Sequence, residues 1–135
     1  MRDEHVRRYA RHILLPDVGG LGQTALMMST ATVELHAEDP HEPRAELIAA
    51  TYLAAGGVGT IVLRGATEPQ RADIAAHAGD GRLVTEGAGR ELSLPPRPAW
   101  WPQATPPDGD GDATALAFWR GGLAALRWMA DIANR

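Results

Sequence analysis

The densest group of side chains able to do chemistry lies between positions 36 and 42. It contains two histidines and three acidic residues: His36, Glu38, Asp39, His41 and Glu42. Imidazole nitrogens and carboxylate oxygens bind zinc and similar divalent ions, so this segment is a candidate metal or small-ligand site. An exposed acidic loop has the same composition, and it is the simpler interpretation.

The elements around this segment form a strand–helix–strand unit. Thr32–His36 is the candidate for the first strand, and Pro43 suits the first turn of a helix that runs to Ala55. A glycine pair ends that helix, and the apolar, β-branched stretch Thr60–Leu63 predicts a buried parallel strand. Nucleotide-binding folds carry their phosphate loop between such a first strand and helix.

The segment between them lacks what a phosphate loop needs. Phosphate loops present bare backbone N–H groups at a helix N-terminus. Here the three carboxylates of Glu38, Asp39 and Glu42 would repel an anion, and Pro40 and Pro43 have no N–H to donate. The sequence therefore predicts that nucleotide phosphates do not bind at this position.

The remaining elements continue an α/β alternation. Asp3 is expected to cap a first helix that runs to about Leu14, and Leu21–Met28 predicts a second short helix. A helix over Thr67–Ala78 and a short strand over Arg82–Thr85 follow. We expect an α/β protein with a reduced Rossmann-like three-layer fold. It would have a short, mostly parallel sheet, an N-terminal helical arm and a long C-terminal helix.

The chain of 135 residues is expected to form a single domain. Its parts are the helical arm 1–29, the βαβαβ half 30–94, the Pro/Gly-rich linker 95–112 and the C-terminal helix 113–134. Asp112 is the expected cap of that helix. Trp100 and Trp101 in the linker are expected to pin it to a surface, either this chain's own core or a partner.

The C-terminal helix carries one narrow charged stripe. Arg120, Arg127 and Asp131 fall within roughly 20° of one line at helical spacing. The rest of its surface is apolar or small, which predicts burial on one side by its own sheet and on another by a second protein chain. Gly121 and Gly122 disfavour a helix, so their presence predicts a close backbone approach.

Composition excludes several classes of function. A formal net charge of −4 gives no general attraction to nucleic acids or anionic membranes. The chain has no cysteine and no lysine, which excludes disulfides, thiolate metal sites, cysteine nucleophiles and lysine Schiff bases. No apolar stretch approaches the ~20 residues of a transmembrane helix. The first residues lack the apolar run of a signal peptide, so the cytoplasm is the expected location.

Three stretches match the sequence pattern of a known family. They are Arg8–Pro16 (RYARHILLP) followed by Gly22-Gln23, Tyr52–Leu63 (YLAAGGVGTIVL) and, more weakly, Gly121–Leu126 (GGLAAL). The first stretch resembles the opening of the ThiF/MoeB/E1-like family. The second resembles the end of that family's first Rossmann helix with the second strand, and the third resembles its C-terminal helix. That family adenylates the C-terminus of ubiquitin or of ubiquitin-like sulfur-carrier proteins. Its members work as dimers, some of which pair an inactive half with an active one.

The residues that carry the family's chemistry are missing from the corresponding positions. The acidic segment stands where the family has its glycine-rich phosphate loop. The family's ribose-binding acidic residue aligns near Arg64-Gly65, where this chain has no acidic residue. Its catalytic arginine has only a faint echo in Gln70-Arg71. The magnesium-binding Asp, the paired zinc cysteines and the catalytic Cys have no counterparts. The resemblance thus implies that this chain alone does not adenylate.

We therefore expect a pseudoenzyme without catalytic residues, cofactor or bound metal, which acts as an interaction or scaffold subunit. The expected partner is a second copy or an E1-like or biosynthetic enzyme, and not nucleic acid or a membrane. The alternatives are a small-ligand or metal-binding protein that uses the loop 36–42, and an enzyme with new chemistry in the collapsed nucleotide crevice. The residues expected at the interface are Tyr9, Ile13, Leu14, Trp119, Leu123, Leu126 and Trp128.

Overall fold

A computed structural model describes residues 1–10, 12, 18–35, 42–99 and 109–135. The helices in this part of the chain are α1 (Asp3–Arg8), α2 (Gly19–Met27), α3 (Glu42–Ala55), α4 (Glu68–Ala75) and α5 (Gly109–Ala133). The strands are β1 (Thr30–Glu34), β2 (Thr60–Arg64), β3 (Arg82–Val84) and β4 (Arg90–Glu91). None of the helices in these residues is long and apolar enough to cross a membrane.

The four strands form one parallel sheet in the order β3-β2-β1-β4. Strands β1 and β2 pair over their whole length, from Thr30 opposite Thr60 to Glu34 opposite Arg64. The order 3-2-1-4 is how the Rossmann sheet begins. The predicted α/β class with a parallel sheet is therefore confirmed.

Strand β4 is an element that the sequence does not predict. It has only two residues, which is too short to show an alternating pattern. A Cβ atom added at Gly89 would lie 2.6 Å from the Thr30 carbonyl oxygen, so the preceding glycine lets the backbone approach β1. The Leu92 N–H then donates to the Thr32 carbonyl at 2.9 Å and extends the pairing.

One face of the sheet carries the main hydrophobic core. Alternate strand residues, including Val33, Ile61 and Leu63, are buried there together with side chains from α2, α3, α4 and α5. Helices α3 and α4 lie on the same face because they form the two crossovers that join β1 to β2 and β2 to β3, and such crossovers share one handedness. Helices α2 and α5 pack onto that face from outside these crossovers.

The opposite face is covered differently. Val62 is buried there, and a Cβ atom at Gly87 would lie 3.4 Å from it. The Arg64 Nη2 group donates to the Gly87 carbonyl at 2.9 Å and holds this crossing segment in place. Only residues 85–89 connect β3 to β4, too few for the helix of an ordinary crossover. In the described part of the chain the third layer is thus an extended segment.

The prediction of a close approach at the glycine pair in α5 is confirmed for Gly121. A Cβ atom there would lie 3.0 Å from the Ile48 Cβ and 3.1 Å from the Ala49 nitrogen, and it would also strike the Ala45 carbonyl oxygen. A glycine in mid-helix costs about 1 kcal/mol relative to alanine, and the intimate packing of α3 on α5 offsets that cost.

The first and last helices differ from the prediction at three points. The single helix predicted from Asp3 to about Leu14 is interrupted: α1 ends at Arg8, where Tyr9 leaves helical geometry (φ −105°, ψ 19°) and turns its ring into the core. Ala10 and His12 are helical again. Asp3 is the first helical residue, not the cap; Arg2 holds the cap position. Helix α5 begins at Gly109 and not at position 113, so Asp112 lies inside it. Acidic residues in a first turn favour this earlier start.

The predicted cap of α4 is confirmed. The Thr67 hydroxyl accepts from the Gln70 N–H, and the Gln70 side chain accepts from the Thr67 N–H at 2.9 Å. Such a capping box satisfies two backbone donors that the helix itself cannot. Trp100 and Trp101, and the acidic segment 36–41, lie outside the described residues.

Candidate functional site

The first two sequence motifs meet at one point of the structure. Tyr9 is only 5% exposed, and its ring lies against Gly57. A Cβ atom at Gly57 would be 2.7 Å from the Tyr9 Cζ and 2.5 Å from the Gln23 Nε2. Gly57 also has φ +90°, a conformation that favours glycine. Both the space and the backbone therefore require glycine at this position.

A short hydrogen-bond chain completes this contact. The fully buried Gln23 donates from Nε2 to the Gly56 carbonyl at 3.0 Å. That bond orients its amide so that Oε1 faces His12 Nδ1, also 3.0 Å away. Since Oε1 can only accept, the Nδ1 atom of His12 carries the proton. We call Tyr9, His12, Gln23, Gly56 and Gly57 the motif junction. The side-chain amide of Gln23 and the Nδ1 atom of His12 are thus engaged in hydrogen bonds that stabilise the fold.

The carboxyl ends of the strands are where an open α/β sheet binds ligands. Two arginines lie near the end of β2, and backbone carbonyls engage both. Arg64 donates to Gly87, as described, and the Arg71 Nη1 group donates to the Leu63 carbonyl at 3.1 Å. Arg71, the faint echo of a catalytic arginine, thus has a structural partner. The loop 36–42, which the alternative interpretation makes a metal or small-ligand site, follows β1, and its residues 36–41 lie outside the described part of the chain. That alternative stays a prediction.

A second charged cluster joins α1 to the turn before β3. His5 Nε2 lies 2.6 Å from Asp80 Oδ2, and Arg2 forms ion pairs with both Asp80 and Glu4. The hydrogen bond from His5 is the main cause that lowers the pKa of Asp80, and the charge of Arg2 lowers it further. The Arg8 Nη2 group donates to the His77 carbonyl at 2.6 Å.

This cluster brings three potential metal ligands together: Glu4, His5 and Asp80. The guanidinium of Arg2, however, already lies among them as the compensating cation. The arrangement is therefore an ion-pair anchor for α1. Sequence analysis misses it because Asp80 is 75 residues from His5, and nothing local links the two.

The charged stripe of α5 faces β4 and the residues that follow it, up to Pro95. Arg120 Nε donates to the Pro95 carbonyl at 2.8 Å, and Asp131 forms an ion pair with Arg90. The buried Trp128 adds a third bond, since its Nε1 donates to the Arg90 carbonyl at 3.1 Å. The stripe predicted from helical spacing is therefore real: Asp131 binds Arg90 of β4, and Arg120 binds Pro95 in the segment that follows β4.

The outer side of α5 presents large apolar side chains. Phe118 is 54% exposed and Leu126 is 61% exposed, and Tyr52 of α3 beside them is 47% exposed. Gly122 lies between Phe118 and Leu126 on α5, and a Cβ atom there would lie 3.8 Å from Tyr52 Cε2. We call Tyr52, Phe118, Gly122 and Leu126 the apolar patch. Tyr52 and Phe118 also line a cleft of about 450 Å³ between α3 and α4.

The structure separates the residues predicted for an interface into three groups. Leu126 is exposed, and Trp119 and Leu123 are partly buried on the same helix. Tyr9 and Trp128 are each only 5% exposed and pack into this chain's own core. Ile13 and Leu14 lie outside the described residues. Tyr52 and Phe118 are patch residues that the sequence-based list lacks, because apolar composition does not reveal which side of a helix stays uncovered.

A comparison of the chain with models of known protein families finds no match, and a comparison with curated proteins finds none either.

Proposed function

We propose that this chain is a catalytically inactive ThiF/E1-like domain that acts as a protein-interaction or scaffold subunit. It would do so as a homodimer or by pairing with an active E1-like or biosynthetic partner. The observation that carries the proposal is the apolar patch on α5 and α3. Single exposed leucines are ordinary on a protein surface, whereas adjoining large apolar side chains are typical of interaction surfaces.

The motif junction supports the part of this proposal that concerns the lack of catalysis. Tyr9, Gln23 and the Gly56-Gly57 turn belong to the stretches that carry the resemblance, and they are engaged in packing and in hydrogen bonds to one another. Arg71 is bound to a backbone carbonyl. A domain that needs its fold and its dimer surface, but not adenylation, would keep these residues and lose the glycine-rich loop.

Light scattering on the purified chain tests the interaction. The expected mass is about twice the 14.4 kDa of one chain. Leu126→Arg is expected to give the monomer, because it would place two like charges in the interface without disturbing the core. Leu21→Arg is the matched control: Leu21 is a 90% exposed leucine on α2, and its substitution is expected to leave the dimer intact.

A wild-type chain that is monomeric at all concentrations would rule out the homodimer. Mixing it with a full-length E1-like enzyme would then test the heteromeric form, again with Leu126→Arg as the disruptive variant. If Leu126→Arg left every assembly unchanged, the apolar patch would have no role in binding.

A further inference from the structure

The cleft between α3 and α4 has the size of a small-molecule site. Its volume is about 450 Å³, within the range of about 300–1,000 Å³ that is typical of ligand pockets. Most of its described lining residues are apolar, among them Leu47, Ile48 and Ile74. Thr51 and Ala55 have small side chains on the α3 wall, which leaves room between the two helices. The cleft can therefore hold a molecule with an apolar body.

Two aromatic side chains line the cleft and are half exposed, Tyr52 of α3 at 47% and Phe118 of α5 at 54%. Each of them therefore borders both the cleft and the solvent. The face of an aromatic ring carries a negative partial charge, so it attracts a cation and not an anion. Aromatic rings bind the ammonium groups of small ligands in this way. A positively charged ligand with an apolar body thus matches this wall of the cleft.

Asp73 of α4 gives the cleft a negative charge. With histidine counted as neutral, it is the one charged side chain among the described lining residues. No described residue forms an ion pair with Asp73, and its carboxylate can only accept hydrogen bonds. The Thr51 hydroxyl already donates to the Leu47 carbonyl at 2.8 Å, so it too can only accept from a ligand. No arginine is among the described lining residues, so the cleft lacks the usual partner of a carboxylate or a phosphate.

From these observations we propose that the cleft between α3 and α4 binds a small organic cation, an ammonium group on an apolar body. The ammonium group binds the Asp73 carboxylate and the rings of Tyr52 and Phe118, and the apolar body fills the space beside Ala55. An ammonium group brings only hydrogen-bond donors, and the carboxylate offers only acceptors, so the two are complementary. The site needs no second protein chain, and the inference therefore does not depend on the proposed function.

A titration followed by nuclear magnetic resonance of the isotope-labelled chain tests this binding site. The probes are tryptamine, its neutral analogue tryptophol and its anionic analogue indolepropionate, which share the indole ring and differ in charge. Tryptamine is expected to give saturable shifts of the backbone amide signals of Thr51, Asp73 and Ile74. Its dissociation constant is expected to be about tenfold lower than that of tryptophol, because an exposed ion pair and a cation–π contact each contribute modestly. Indolepropionate is expected to give no saturable shift.

Asp73→Asn removes the charge and keeps the shape of the side chain. It is expected to weaken the binding of tryptamine about tenfold, to the level of tryptophol, and to leave the binding of tryptophol unchanged. Glu68→Gln is the matched control, since Glu68 is an exposed acidic residue on the same helix and is not among the residues that line the cleft. Ala55→Leu fills the cleft from an exposed position, so it is expected to abolish the binding of both probes without lowering the melting temperature.

The inference would be overturned by the absence of saturable shifts with millimolar tryptamine, by equal affinities for tryptamine and tryptophol, or by equal losses in Asp73→Asn and Glu68→Gln. Binding that survives Ala55→Leu would place the probe elsewhere and would overturn it too. Binding that disappears in Leu126→Arg would have the same consequence, because Leu126 does not line the cleft. The proposed function has a separate readout, the mass of the chain in solution. A monomeric wild-type chain that binds tryptamine would overturn the homodimer and leave this site standing.

Discussion

The substitution Gly57→Ala tests whether the motif junction stabilises the fold. Gly57 has φ +90°, and its added Cβ would be 2.5 Å from Gln23 and 2.7 Å from Tyr9. The backbone conformation alone costs a residue with a Cβ about 1–3 kcal/mol. The collision with two buried side chains adds about 1–3 kcal/mol. We expect the free energy of unfolding to fall by about 2–6 kcal/mol.

Urea denaturation followed by circular dichroism measures this loss, and thermal melting provides a second readout. A chain of this length shifts by about 3–4 °C per kcal/mol, so the melting temperature is expected to fall by at least about 6 °C. The matched control is Gly20→Ala in α2. Gly20 has a helical backbone and no described atom within 4 Å of an added Cβ, so this variant is expected to be neutral or slightly more stable.

The reasoning would be refuted if Gly57→Ala lost less than about 1 kcal/mol while Gly20→Ala behaved as expected. That result would mean that the turn relaxes without cost, and the resemblance of the two motifs would then need an explanation other than packing.

Two further predictions concern Trp128, which was expected at an interface and is buried in the core, and Asp80, which binds His5. Trp128→Arg is expected to unfold the monomer, since Trp128 is 5% exposed and donates to Arg90; loss of native circular dichroism would show this, and a folded monomeric variant would contradict it. The pKa of Asp80 in the folded chain lies below its ordinary value of 3.8, so its contribution to stability is present above that value and is lost as the pH falls through the lower folded pKa. Asp80→Asn is therefore expected to show a shallower fall in stability than the wild type below about pH 4, and identical pH profiles would contradict this.

Local signals in the sequence predict most of the elements. The strand β2 follows from its β-branched residues, α4 from the cap at Thr67, and the end of α3 from the glycine pair at 56 and 57. These are interactions between residues close in the chain, so composition and spacing reveal them. The start of α5 is missed because glycines in its first turn look like a linker, although the acidic residues between them favour a helix N-terminus.

Elements that depend on distant contacts are not predictable in this way. Strand β4 exists because Gly89 can approach Thr30, and the first helix is interrupted at Tyr9, whose ring turns toward Gly57. In both cases the partner is more than 45 residues away, and the local sequence contains no sign of it. The anchor between His5 and Asp80 has the same origin.

The sequence by itself determined the α/β alternation, the apolar character of the last helix, its single charged stripe and the acidic character of the segment after β1. Only the tertiary structure decided how α5 is rotated about its axis. Leu126 and Trp128 are both large and apolar and lie two residues apart, yet one is 61% exposed and the other 5%. Hydrophobicity cannot tell them apart, because residues two positions apart lie on different sides of a helix. The packing of Gly121 against α3 is what turns Trp128 inward and leaves Leu126 at the surface.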